Sequence, residues 1–287
     1  MEPSAPKPQR PGDTSHTDEK LKIYFLPNLL TGGNLFCGFV ALTKIVQWDV
    51  NSGNYRDIKV ALFFILLACI FDLFDGRVAR MGGAESPFGR EFDSLADIIS
   101  FGVAPAFLVY RIVLWDVFSS HPELGWFIAS IYLLCGAFRL ARFNCLATMA
   151  GTGGGKEFLG FPIPAAAGLV SSLTLFMIWW DEKEFAQANW RFVLPVILLF
   201  LSGMMVSEVK YPTFKKLDLR ATRTFTKTLF AVLFVGAILI LREKIIYWVL
   251  PLFFTIYLLY GFIRPWVSRK MRHEIEDDDD DEPSEPQ

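Results

Sequence analysis

The chain has 287 residues, 53% of them hydrophobic and 15% aromatic, with a mean hydropathy of +0.36. A soluble fold disperses its apolar residues at helix or strand periodicity; here they stand in blocks near the ~20 residues that cross a bilayer as a helix, which excludes an ordinary soluble domain. The formal charge of −2 is set by the acidic segment Glu274–Glu285, and the remainder is basic, as suits a protein lying against anionic lipid.

In chain order, residues 1–22 have no apolar core and no small-residue cleavage site, so they read as a disordered tail and not a signal peptide. Eight spans are predicted over Leu29–Trp48, Ile58–Asp75, Leu95–Trp115, Trp126–Phe143, Ile163–Trp180, Phe192–Ser207, Phe225–Leu241 and Ile245–Phe262. Tryptophans such as Trp48, Trp115, Trp126, Trp179, Trp180 and Trp248 gather near their ends, where amphipathic rings meet headgroups. The fold class is therefore all-α, a polytopic membrane helix bundle of about eight transmembrane helices. A transmembrane domain is expected over residues 23–265, and a basic then acidic disordered tail over 266–287. The N-terminal tail and the alternate connections on its side carry 20 of the 28 lysines and arginines. The positive-inside rule then puts both termini in the cytoplasm, as an even number of spans requires. Cys37, Cys69, Cys135 and Cys145 form neither a metal-ligand pair nor a disulfide pattern, and His16, His121 and His273 lie in tails or the far-side loop.

The chemistry is concentrated in Phe71–Gly102, FDLFDGRVARMGGAESPFGREFDSLADIISFG. Asp72, Asp75, Gly76, Ala79 and Arg80 share one helix face, and Asp93 and Asp97 share another at the start of the next span. The glycines and Ser-Pro between them let the helices turn back, so four carboxylates converge at the cytoplasmic end of a hairpin. An aspartate at the centre of a membrane helix costs about 2.5–3.5 kcal/mol on insertion scales, and four together repel. Bound cations resolve this, and hard oxygen ligands suit Mg²⁺, Mn²⁺ or Ca²⁺. Two such ions suit displacement at phosphorus. Gly76 and Ala79 leave room for a nucleotide, and Arg80 supplies charge for a diphosphate. An ion-coupled transporter is the rival reading; it accounts for one or two carboxylates, not for small residues and an arginine at fixed phase beside them.

Asp72-x2-Asp75-Gly76-x2-Ala79-Arg80-x8-Gly89-x3-Asp93-x3-Asp97 resembles the full signature of the CDP-alcohol phosphotransferase family without departure. The resemblance implies a six-helix catalytic core, often in a homodimer, with two divalent ions, Mg²⁺ or Mn²⁺, held by Asp72, Asp75, Asp93 and Asp97. Asp93 and Asp97 are the implied catalytic residues, with Asp97 the general base. Gly76, Ala79, Arg80 and Gly89 would line the CDP moiety together with Asp75.

Two further segments bear on the substrates. In LPNLLTGGNLFCG, Asn28, Thr31 and Asn34 fall near one helix face and offer polar groups to the nucleotide or diphosphate, though Asn28 also suits helix capping. In FRLARFN, Arg139 and Arg142 either serve topology and headgroup contact or hold an anion, with Asn144 beside them. With GFPIPAAAG, these segments resemble the phosphatidylserine synthase branch of the family. That resemblance implies CDP-diacylglycerol and L-serine as substrates, with Arg139, Arg142 and Asn144 near the serine. Branches acting on glycerol phosphate or inositol phosphate stay open, since Lys156, Lys210 and Arg220 could meet a second phosphate. Membrane lipids are the expected surroundings, and no nucleic-acid partner is expected.

Overall fold

The computed structural model describes residues 25–81, 86–149, 157–183, 192–212 and 247–261. These form helices α1 (Phe25–Gln47), α2 (Arg56–Met81), α3 (Pro87–Val117), α4 (Pro122–Met149), α5 (Ile163–Glu182), α6 (Val193–Val206) and α7 (Tyr247–Gly261). A short antiparallel pair joins β1 (Glu157–Leu159) to β2 (Lys210–Pro212), with Phe158 opposite Tyr211. The expected span over Phe225–Leu241 lies outside the described residues.

Local chemistry sets the helix starts. The Asn54 side chain accepts from the Arg56 amide at 2.9 Å and opens α2. Ser86, in extended backbone, accepts from the Gly89 amide at 3.0 Å, and Pro87 fills the first helical position of α3. α5 opens on Pro162-Ile163-Pro164, where missing amides cost nothing. The sequence places the third span at Leu95; the cap at Ser86 starts the helix eight residues earlier, so Asp93 and Asp97 sit inside it.

α3 is not a uniform α-helix. Ile98–Val103 and Tyr110–Leu114 are wound as π-helix, a form that gathers at functional sites. The first of these stretches follows Asp97 directly, and the Tyr132 hydroxyl donates to its Phe101 carbonyl at 3.1 Å. At the crossing of α1 and α3, Gly38 faces Ser100; a Cβ on Gly38 would lie 2.8 Å from the Ser100 Cα. Glycine is what lets the two backbones come this close.

The interior is packed by Ile45, Ile58, Leu62, Ile65, Phe101, Leu108 and Tyr132, all fully buried. The outside carries Phe36, Phe39, Phe63, Leu134, Phe138 and Val196, all exposed. In water this apolar surface would need covering; in lipid it needs none. Leu26–Gln47, Pro87–Val117, Pro122–Leu146 and Ile163–Glu182 are long and apolar enough to cross a membrane. α2 has the length but carries Asp57, Lys59, Asp72, Asp75 and Arg77. The chain is an all-α membrane protein with a minor β element.

Candidate functional site

The site lies where α1 begins, α2 ends and α3 begins. Asp72 and Asp75, three residues apart, point from the last turns of α2, and Asp93 points from the second turn of α3. One carboxylate oxygen from each of these three lies within 4.8 Å of the others. Asp97, one turn deeper and only 6% exposed, stands outside that trio.

Helix α1 supplies neutral donors to both sides of the hairpin. The Thr31 hydroxyl lies 3.0 Å from Asp75 Oδ2 and 3.1 Å from the Pro27 carbonyl, so its one hydrogen is shared between them. One turn on, Asn34 Nδ2 donates to Asp97 Oδ1 at 3.2 Å. Asn28 flanks Gly89 so closely that a Cβ there would approach its Oδ1 to 3.3 Å. The three polar residues of α1 thus face the aspartates, with Asn28 and Gly89 at the mouth. Gly76 is half-buried beside Asp75. Ala79 and Arg80 lie on the final turn of α2, and their side chains fall outside the described residues.

Among the described residues, Asn28 Nδ2, Asn34 Oδ1, Asp93 Oδ1, Arg139 Nε and, in α5, Ser171 Oγ are buried polar atoms without a hydrogen-bond partner. Each such atom costs about 1–3 kcal/mol. Four of them stand on the helices that carry the aspartates and their neighbours, where a polar ligand would satisfy them. The two nitrogens suit anionic oxygens, and the Asp93 oxygen suits a cation. Three converging carboxylates, one with an orphaned oxygen, fit a divalent ion with hard oxygen ligands.

Helix α4 brings up the remaining predicted residues, and it treats them differently. Arg139 is 7% exposed, and its guanidinium lies 5.9 Å from the Phe143 ring centre. Its charge faces Asp97 and Asp72. Arg142 turns away from the aspartates: its guanidinium donates to the carbonyls of Val206 at 3.0 Å and Ser207 at 3.1 Å. It therefore closes the C-terminal end of α6, whose last carbonyls have no partners within the helix. Gly160, at φ +79°, brings the chain against the same helix end. Asn144 Nδ2 donates to Ser94 Oγ at 2.9 Å and so ties α4 to α3 between the two aspartates.

Ser94 and Ser100 escaped the sequence reading. They stand three residues before and three after Asp97, a spacing that puts all three near one helix face, and that spacing was the available signal. The Ser100 hydroxyl donates to the Asn34 carbonyl at 2.9 Å.

The family model for CDP-alcohol phosphatidyltransferase matches residues 24–206. The chain belongs to the CDP-alcohol phosphatidyltransferase family. Within this transferase family, the chain is 33% identical over 243 residues to a CDP-diacylglycerol--serine O-phosphatidyltransferase of Helicobacter pylori, covering 84% of this chain and 91% of that one. A Bacillus subtilis protein of the same name is 33% identical over 192 residues, 67% of this chain and 92% of its own length. An archaetidylserine synthase of Methanothermobacter thermautotrophicus is 35% identical over 198 residues, 68% and 73% of the two chains. The phosphatidyltransferase match ends at Val206, so it takes in α1–α6 and every aspartate of the site.

Proposed function

We propose that the chain transfers the phosphatidyl group of CDP-diacylglycerol to the hydroxyl of L-serine and releases CMP. The observation that carries this reading is the buried Arg139, set beside the carboxylate cluster with an unpartnered Nε. It can hold the serine carboxylate through a charge-assisted hydrogen bond, as it would the phosphate of a phosphorylated acceptor. The names of the relatives agree with it.

A pair of divalent ions, Mg²⁺ or Mn²⁺, bound by Asp72, Asp75, Asp93 and Asp97 would neutralise the diphosphate and favour in-line displacement. The chain's own residues do the rest. Asn28 and Thr31 line the nucleotide side with Gly76 and Gly89, which keep side chains out of its path, and the signature assigns Ala79 and Arg80 to the same CDP moiety. Arg139 orients serine by its carboxylate. Asn144, through Ser94, fixes the distance between α4 and α3. Asp97 takes the proton of the serine hydroxyl; the serine oxygen bonds to the β-phosphorus, and the bond from that phosphorus to the CMP oxygen breaks. No covalent enzyme intermediate is needed, and catalysis is positioning and charge neutralisation.

The reading also places the site and both termini on the cytoplasmic side of the inner membrane, with residues 23–265 as the membrane domain, tails at 1–22 and 266–287, and a second copy of the chain as partner. The test is purified protein in detergent micelles with CDP-diacylglycerol, Mg²⁺ or Mn²⁺, and each of L-serine, glycerol 3-phosphate and inositol phosphate. Phosphatidylserine and equimolar CMP are expected with serine. Faster turnover with a phosphorylated acceptor would refute the serine reading and leave the family unaffected.

A further inference from the structure

Asn34 lies outside the aspartate signature, yet it is fully buried and touches the deepest aspartate of the site. Its amide nitrogen donates to Asp97 Oδ1 at 3.2 Å, and its own backbone carbonyl is held by the Ser100 hydroxyl at 2.9 Å. Ser100 sits in the π-wound stretch that begins one residue after Asp97. The chain therefore closes a small ring: Asp97 to Asn34, Asn34 to Ser100, and Ser100 back to Asp97 through three residues of α3. Gly38, one turn beyond Asn34, makes room for Ser100 to enter that ring.

An ionised carboxylate only accepts hydrogen bonds, and each of its oxygens has two lone-pair directions. Asn34 fills one direction of Oδ1 and so fixes the plane of the carboxylate, which leaves Oδ2 for an acceptor hydroxyl and the second direction of Oδ1 for an ion. The carboxylate cannot rotate about its terminal torsion, which is otherwise soft, without losing that bond in a buried setting. The amide carries no charge, so it orients Asp97 without neutralising it as an arginine or lysine would.

We propose that Asn34, anchored by Ser100, is a positioning residue that holds Asp97 in its reactive orientation toward the acceptor alcohol. The inference rests on the proposed role of Asp97 as the base. Its effect belongs to the chemical step, so it falls on kcat and not on the capture of the CDP-lipid.

The test compares Asn34→Ala, Asn34→Leu and Ser100→Ala with wild type, in detergent, by initial rates of CMP release with serine and CDP-diacylglycerol. Mn²⁺ binding is measured on the same preparations, without substrate, by electron paramagnetic resonance. Asn34→Leu keeps the shape, loses the N–H donor and adds no charge, so a packing role tolerates it and a donor role does not. Both Asn34 variants should lose about 10- to 150-fold in kcat, the size of one charge-assisted hydrogen bond. KM for the CDP-lipid and Mn²⁺ affinity should stay within about threefold of wild type, the ordinary context spread of such interactions. Ser100→Ala should show a smaller loss with the same kcat selectivity. Wild-type kcat in Asn34→Leu overturns the proposal, as does a fall in Mn²⁺ affinity that accounts for the lost rate. Should the Asn34 variants fail to fold, unchanged kcat in Ser100→Ala overturns it. Absence of serine transfer by the wild type would instead overturn the proposed function.

Discussion

Replacing Gly38 by alanine separates stability from activity at the α1–α3 crossing. The added Cβ would lie 2.8 Å from the Ser100 Cα and 3.0 Å from its Cβ. Carbon atoms pack at about 3.5–4.0 Å, so the helices must part by roughly 0.7–1 Å. The nearest atom is the Ser100 hydroxyl, and behind it stands backbone, which cannot swing aside as a side chain would. Overpacking of this kind costs about 1–3 kcal/mol, while exchanging glycine for alanine within a helix returns about 1 kcal/mol. The net cost to stability, about 0–2 kcal/mol, is therefore modest. The change in the site is not, because the same movement stretches the Ser100–Asn34 and Asn34–Asp97 bonds, now 2.9 and 3.2 Å. Both would pass the ~3.5 Å beyond which little hydrogen bonding remains. Misplacement of a reactive group by about 1 Å can cost 10²-fold in rate. Gly38→Ala is expected to keep a melting temperature near wild type in detergent and to lose on the order of 100-fold in CMP release. Gly38→Val, with two further methyls against Ser100, should lose both. Wild-type turnover in Gly38→Ala would show that the close crossing does not govern the geometry of Asp97.

Asp72→Asn, Asp75→Asn and Asp93→Asn should each abolish CMP release while membrane insertion persists, and EDTA should inhibit the wild type with Mg²⁺ or Mn²⁺ restoring it; full turnover in metal-free buffer would contradict the role given to the cluster. Arg139→Gln should raise KM for serine about 10- to 150-fold, the span of one charge-assisted hydrogen bond, with KM for the CDP-lipid little changed. Arg142→Gln should instead lower the melting temperature with KM for serine near wild type, since its guanidinium holds the end of α6; a selective rise in that KM would return Arg142 to the substrate. Cysteines placed at the exposed positions Glu91 and Ser119 should be labelled from opposite sides of the membrane, Glu91 from the cytoplasm; labelling of both from one side would overturn the orientation.

Membrane class and the acid cluster were legible from the amino-acid order alone. Apolar blocks of bilayer length are at home in lipid and costly in water, and the aspartates of a helical hairpin converge by periodicity, because residues three and four apart share a face. The pairing of Asp72 and Asp75 with Asp93 needed only that the chain turn back after Met81, which the Ser86-Pro87 start of α3 ensures. What α1 does to these aspartates was not readable in the same way. Asn34 and Asp97 are 63 residues apart, and their contact depends on how two helices cross, which no local pattern encodes. The two arginines make the same point. Arg139 and Arg142 are three residues apart in one helix and have the same chemistry, so sequence assigned them one role. The packing of α6 against α4 distinguishes them: Arg142 donates to the carbonyls at the end of α6, and the charge of the buried Arg139 faces Asp97 and Asp72. Local spacing determines which groups share a face of one helix; which face meets which is decided by tertiary packing, such as the close crossing of α1 and α3 at Gly38 and the contact of Arg142 with the end of α6.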